Sequence, residues 1–300
     1  MFHITPLTSF LYINTQAKLL EFTAQLESTP YLALDSEFLR YETYYPQLCL
    51  LQIATDQIIA IVDPLAVKEL DPLIACIYNP NILKILHSGR QDLEILYHLT
   101  QALPQTVFDT QIAAKVAGYP QQLGYASLVK VLLHIDIEKS ETRADWTLRP
   151  LAENLLEYAR QDVRYLAVLY QILEQKMSLN HQMESFWQES QSLTDPGSYS
   201  FDPEDSWKKI KNTRRLKPQH LSLLKRLAAW REQTAQALDR PRNWIIHDRE
   251  LLLIAKRQPQ SFNELQILVA TPTSKKTIKT LGEELLRITR LEDHQSRSPE

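Results

Sequence analysis

Three hundred residues, 44% hydrophobic and 23% charged, suit a folded chain with room for a real core and one to three domains. No run approaches the roughly 20 apolar residues of a membrane span. The N-terminus shows no basic and apolar leader pattern. Cys49 and Cys76 make neither a disulfide framework nor a zinc site, so a reducing, cytoplasmic setting is expected. The net charge of −3 conceals a split. Residues 1–204 hold 13 Lys and Arg against 25 Asp and Glu, whereas residues 205–290 hold 19 against 8. The basic part suits a polyanion such as nucleic acid; a merely solvated basic surface is the plainer alternative.

In chain order, the spacing predicts an amphipathic helix over 14–26 and then a buried strand over 31–38, where Pro30 precedes a run of apolar residues. An aromatic loop covers 41–46. Strands at 48–54 and 58–62, joined at Asp56-Gln57, complete an antiparallel meander. A helix is expected over 65–78, a fourth strand over 82–86, a helix over 91–99 and a short strand at 107–108. Asp109-Thr110 caps a helix running to 117. The strand–helix alternation after residue 64 argues for an α/β layer with a parallel portion. Helices follow over 125–133 and 151–177. Residues 178–206 have a linker composition, with room for one helix near 181–191. From 207 the pattern is helical only, with an apolar stripe of Leu221, Leu224, Leu227, Ala228 and Trp230 and further helices around 251–255, 262–268 and 278–288. Residues 291–300 form a polar tail.

Four acids stand out. Asp35 and Glu37 are two apart on one strand, so they share a face at its end. Like charges there are costly unless a divalent cation neutralises them or the strand simply ends in solvent. Asp92 opens the helix after the fourth strand, a junction where α/β sheets place ligands, although a first helical turn also tolerates an acid. Tyr158 and Asp162 are four apart and share one helix face, which is otherwise apolar; Arg160 and Arg164 are ordinary partners for that acid. Taken together, such hard oxygen donors suit magnesium or manganese.

Leu34-Asp35-Ser36-Glu37-Phe38, the His87/Asp92 pair and the Tyr158/Asp162 pair resemble the three exonuclease motifs of the DEDD superfamily in its tyrosine subgroup. Tyr44-Tyr45-Pro46-Gln47-Leu48, Phe108-Asp109-Thr110-Gln111, Lys139-Ser140-Glu141-Thr142-Arg143, Asp145-Trp146 and Arg149-Pro150-Leu151 are similar in order and spacing to the ribonuclease D family. Leu227, Trp230-Arg231-Glu232, Pro241, Asn243 and Ser261-Phe262 resemble its helicase-and-RNase-D C-terminal (HRDC) domain. The resemblance implies an α/β ribonuclease H-like exonuclease domain, a mixed five-stranded sheet flanked by helices, over residues 1–177, a linker over 178–206, and a small all-α HRDC domain over 207–290. Longer family members carry two helical domains; here there is room for one.

The activity so implied is metal-dependent removal of 3′-terminal nucleotides from structured RNA, such as transfer RNA precursors, as 5′-monophosphates. Two divalent ions, magnesium or manganese, are expected on Asp35, Glu37, Asp92 and Asp162, with Tyr158 orienting the attacking water. His87 reads as either a group behind the metal ligands or a packed strand end, the latter being favoured. Lys139, Arg143 and Trp146 are candidates for RNA contact, an internal Arg143–Asp145 pair and a buried Trp146 being equally good readings. A monomer with no membrane partner is expected. The rival readings are a DNA exonuclease on the same motifs and a non-catalytic nucleic-acid-binding protein on the same fold.

Overall fold

The computed structural model describes residues 10–137 and 144–290. Contacts divide the chain into two units: residues up to 199 except 40–45, and residues 40–45 with those from 200 onward.

In the first unit, β-branched and aromatic runs between turn residues form six strands: β1 (Phe10–Ile13), β2 (Tyr31–Leu39), β3 (Gln47–Ala54), β4 (Ile59–Val62), β5 (Leu83–Leu86) and β6 (Val107–Asp109). They lie in the order β1-β4-β3-β2-β5-β6. The meander β2–β3–β4 is antiparallel, whereas β1 on β4, β5 on β2 and β6 on β5 are parallel. The sheet is mixed, as expected, but among the described residues it has one strand more than five. Four residues without polar alternation, Phe10–Ile13, become a strand only through pairing with β4.

Helices α1 (Gln16–Gln25), α2 (Asp71–Tyr78), α3 (Arg90–Thr100), α4 (Thr110–Val116), α5 (Tyr125–Leu133), α6 (Glu153–Arg164), α7 (Leu166–Leu179) and α8 (Met183–Ser190) complete the unit. Alternation on the strands makes two apolar faces. Leu32, Leu34, Leu51, Ile53 and Leu86 pack with Leu19, Phe22, Leu73, Leu93 and Leu96 of α1, α2 and α3. On the other face Ala33, Ala54, Ile59 and Ile85 meet Val163 and Leu166, and Leu50 and Ile61 meet Leu156 and Ala159. α3 and α6 are therefore held on opposite faces of the sheet by the core itself.

Three expectations are corrected. The helix over 65–78 begins only at Asp71, because Asp63 takes the preceding N–H groups into a turn: its carbonyl accepts from Ala66 and Val67 and its carboxylate from Leu65. The helix over 151–177 is two helices meeting at Tyr165. An unbroken helix would bond the Tyr165 N–H to the Gln161 carbonyl. The Tyr125 hydroxyl stands between them instead, accepting from Tyr165 at 3.2 Å and donating to Gln161 at 2.7 Å, an insertion of the kind that breaks helices. In residues 178–206 the helix expected near 181–191 is present as α8, but the segment of linker composition also buries Phe186, Leu193 and Tyr199. Its polar composition hides three anchors spaced six or seven apart.

Asp63, buried at the end of β4, binds the Arg149 guanidinium through both oxygens, at 2.5 and 2.8 Å, and accepts from the Tyr12 hydroxyl at 2.6 Å. Arg149 also donates to the carbonyls of Cys49, Trp146 and Leu148, each at 2.8 Å. This clamp ties the stretch before α6 to the sheet. Burial alone would raise the Asp63 carboxyl, but the hydrogen bonds from Arg149 and Tyr12 outweigh it and hold it below its ordinary value.

In the second unit, α9 (Pro218–Ala237), α10 (Arg242–Ile245), α11 (Asp248–Arg257), α12 (Phe262–Leu268) and α13 (Pro272–Arg290) close over Leu223, Leu224, Leu227, Leu251, Ile254, Leu265, Ile278 and Leu285. A Cβ on Gly282 would meet the Phe262 ring at 2.8 Å, so the glycine lets α12 and α13 approach. Glu250 caps the start of α13, accepting from the Ala270 and Thr271 N–H groups at 2.7 and 2.9 Å and from the Ser274 hydroxyl. The Tyr44 hydroxyl donates to buried Glu232 at 2.5 Å. Among the described residues no helix is long and apolar enough to cross a membrane.

Arg149→Ala leaves the Asp63 carboxylate buried without its cation, so it is expected to cost on the order of 3–5 kcal/mol, read from the urea midpoint at neutral pH. Because the folded-state value of Asp63 is depressed, that contribution is present above about pH 4 and fades as acid protonates the group. A loss undiminished in acid would contradict the pairing.

Candidate active site

Strand β2 carries the first two acids past the end of its parallel neighbour. β5 pairs only with Tyr31, Leu32 and Ala33, so Asp35 and Glu37 lie beyond that ladder while still paired with β3 on the other side. After β5 the chain turns sharply into α3. A Cβ on Gly89 would meet Leu86 at 2.7 Å, so only glycine fits at this turn. Asp109 holds the turn to β6, its carboxylate accepting from the Ser88 and Gly89 N–H groups at 3.1 and 2.9 Å, and it caps α4 through Gln111 and Ile112 at 2.8 and 3.2 Å.

Asp92 thereby lies in the first turn of α3, where the Ser36 hydroxyl donates to it. Ser36 points to the opposite face of β2 from Asp35 and Glu37, so the serine links Asp92 to the strand that bears the other two acids. From the far face, α6 delivers Asp162. One oxygen of each of Asp35, Glu37 and Asp162 lies within 4.8 Å of the others. Asp92 is outside this group of three, yet close enough for its charge to act on both Asp35 and Glu37.

The electrostatics are uniform in sign. Burial, then the fields of Asp92, Asp162 and Glu37, push Asp35 well above the carboxylate range. Burial first and Asp162 and Asp92 next raise Glu37 to about 8. Burial raises Asp92 to about 6, against the Ser36 hydrogen bond, which lowers it. Among the described residues no Lys, Arg or His forms an ion pair with Asp35, Glu37 or Asp92. Crowded, partly buried carboxylate oxygens are the donor set of a hard divalent cation, and Asp35, Glu37 and Asp162 can hold one.

Tyr158 sits one turn before Asp162 on α6, its ring 6.0 Å from that of Trp146. Trp146 takes the buried one of its two readings: it is 6% exposed, wedged into the core beside the phenol. Lys139 and Arg143 lie outside the described residues. Arg160 pairs with Glu153 and Glu157, and Arg164 with Glu157. His87 is a packed strand end, its Nδ1 2.9 Å from the Thr110 hydroxyl and its ring 5.8 Å from Tyr125. Three supporting residues were not among the expected site residues. Ser36 and Asp109 lie inside stretches that carry the family resemblance, but their roles behind Asp92 depend on contacts between elements, and the wedge position of Tyr125 depends on a helix distant in sequence.

Residues 10–178 match the model of the 3′-5′ exonuclease family, and residues 220–289 that of the HRDC domain. Ribonuclease D of Shewanella sp. is 37% identical over 287 residues, spanning 96% of this chain and 74% of the relative. This chain belongs to the ribonuclease D family. The crystal structure of Escherichia coli RNase D, described as an exoribonuclease involved in structured RNA processing, superposes with a TM-score of 0.86 at 33% identity, over 94% of this chain and 74% of that one. NrnC of Brucella melitensis, solved with bound Mg2+, matches at a TM-score of 0.54 and 26% identity, over 69% of this chain and 98% of that one. The ribonuclease D assignment accounts for both units, the exonuclease fold and the helical HRDC domain.

Acids held protonated by their surroundings favour the folded state at low pH, and the preference is lost as pH rises through their folded-state values. With Asp92 at about 6 and Glu37 at about 8, stability in chelator is expected to fall as pH goes from about 5 to 8. Cation uptake at pH 7 is expected to release protons, measured as a buffer-dependent heat in titration calorimetry. A heat independent of buffer ionisation would contradict the raised values.

Proposed function

We propose that this chain is a metal-dependent 3′-to-5′ exoribonuclease that trims structured RNA, transfer RNA precursors among its substrates, releasing 5′-mononucleotides. The observation that carries the reading is the meeting of three carboxylates from β2 and α6, with Asp92 beside them and Tyr158 one turn away. The E. coli relative's activity on structured RNA and the Mg2+ bound by the Brucella neighbour support the substrate and the cofactor.

When bound, two divalent cations, magnesium or manganese, supply Lewis acidity at the scissile phosphate and a nucleophilic water near neutral pH. Asp35, Glu37 and Asp162 are the residues to hold the first, and Asp35 and Asp92 the second. Glu37 also serves the terminal 3′-hydroxyl. The Tyr158 phenol orients the attacking water by hydrogen bonding, and the buried Trp146 beside it limits where the phenol can point. The basic helical unit grips the body of the RNA through phosphates, with Lys275, Lys276 and Lys279 exposed on α13. We read the enzyme as a cytoplasmic monomer; the two free thiols, Cys49 and Cys76, fit a reducing compartment.

Asp35→Asn is expected to keep the fold, since it removes a buried like charge, and to lower hydrolysis of 3′-labelled RNA by about a thousandfold or more. Retained activity would remove the metal reading. Tyr158→Phe should slow kcat about tenfold or more with KM little changed; a KM effect alone would point to binding. Reversing Lys275, Lys276 and Lys279 to Glu together is expected to weaken structured RNA binding and flatten its salt dependence while short single strands are still degraded. Running the same assays on matched RNA and DNA, with and without chelator, separates the ribonuclease from a DNA exonuclease.

A further inference from the structure

Gln52 lies in β3 directly opposite Asp35 of β2, with Ile61 of β4 on its other side. Pairing places its side chain on the same face as Asp35 and Glu37, under α6. The other residues of that face on β3 and β4, Leu50, Ala54, Ile59 and Ile61, are apolar. Gln52 is 0% exposed, and among the described residues neither its amide nitrogen nor its amide oxygen has a hydrogen-bond partner.

A fully buried carboxamide without partners is a costly thing to keep where leucine or isoleucine would pack. Buried polar groups in folded proteins are nearly always satisfied, so an exception calls for a reason beyond the fold. The reason offered by the register is Asp35. Opposed side chains on antiparallel strands have Cβ atoms about 5 Å apart, within the reach of a glutamine amide. The chemistry matches: an amide N–H supports a charged carboxylate and, being neutral, neither competes with a cation for the site nor repels it.

We propose that Gln52 is a positioning residue: its amide N–H, without a partner among the described residues, is the donor that fixes the orientation of the Asp35 carboxylate when a cation is held. The inference rests on the metal reading of the acidic cluster. Hydrogen-bond partners behind ligands commonly tune affinity 10- to 100-fold.

The test is Gln52→Met, similar in length and apolar, in the full chain. Mn2+ binding is followed by titration calorimetry, and melting is followed separately in chelator. Mn2+ affinity is expected to drop about tenfold or more, while the melting temperature in chelator stays level or rises because an unpaired amide has gone. Wild-type affinity in the variant overturns the proposal. So does a fall in melting temperature with affinity unchanged, which would make the amide part of the fold. Should the methionine variant not fold, Gln52→Asn withdraws the amide by one methylene and keeps its polarity; the same direction of loss is expected, and unchanged affinity overturns the proposal. Wild-type chain that takes up no Mn2+, with Asp35→Asn as the blank, would instead sink the metal reading itself.

Discussion

Mutual repulsion among carboxylates is the constraint around which the first unit is built. Two unit charges about 5 Å apart interact by about 3 kcal/mol at an effective dielectric of 20, and a domain's whole stability is only about 5–15 kcal/mol. Asp35, Glu37 and Asp162 bring oxygens within 4.8 Å, with Asp92 adjoining. The structure does not relax this by moving apart, because α3 and α6 are pinned to opposite faces of the sheet by separate apolar clusters. Burial and the neighbouring charges raise Asp35, Glu37 and Asp92 above the ordinary carboxylate range, which favours their protonated forms. A cation removes the need, which is how a site can be unfavourable for its own fold and favourable for its ligand.

Asp63 shows that nothing about a buried aspartate forces this outcome. It lies on the same sheet, more deeply buried than Asp35, and its carboxyl is lowered rather than raised because Arg149 and Tyr12 bond to it. Glu250 in the second unit is lowered likewise, by Ser274, Thr271, Ala270 and His247, against the effect of burial. Structural acids here are supplied with donors. At the site, Glu37 has no such supply among the described residues and rises to about 8.

The second unit divides its charges in the opposite way. Its buried ionic groups are supplied with partners: Arg231 donates to Asp248 and to the Ile246 carbonyl, and Glu232 accepts from the Tyr44 hydroxyl and lies 3.6 Å from Arg242. The surplus of cations is left for the surface, as at Lys275, Lys276 and Lys279. An exterior of that kind binds by counterion release and carries little sequence preference of its own.

Much was legible from the chain alone. The alternation through Leu32–Leu34 and the two-residue step from Asp35 to Glu37 determine a shared face, because side chains on a strand alternate. The four-residue step from Tyr158 to Asp162 does the same on a helix. Local spacing could not set distances between elements. That Phe10–Ile13 is a strand depends on β4, that the long helix breaks at Tyr165 depends on the Tyr125 hydroxyl, and that residues 178–199 are anchored depends on pockets formed by distant helices. The sequence by itself determined which of the candidate site residues share a face of a strand or a helix. Only the tertiary structure decided that the faces meet, because convergence is a property of packed layers and of the long-range contacts that pack them.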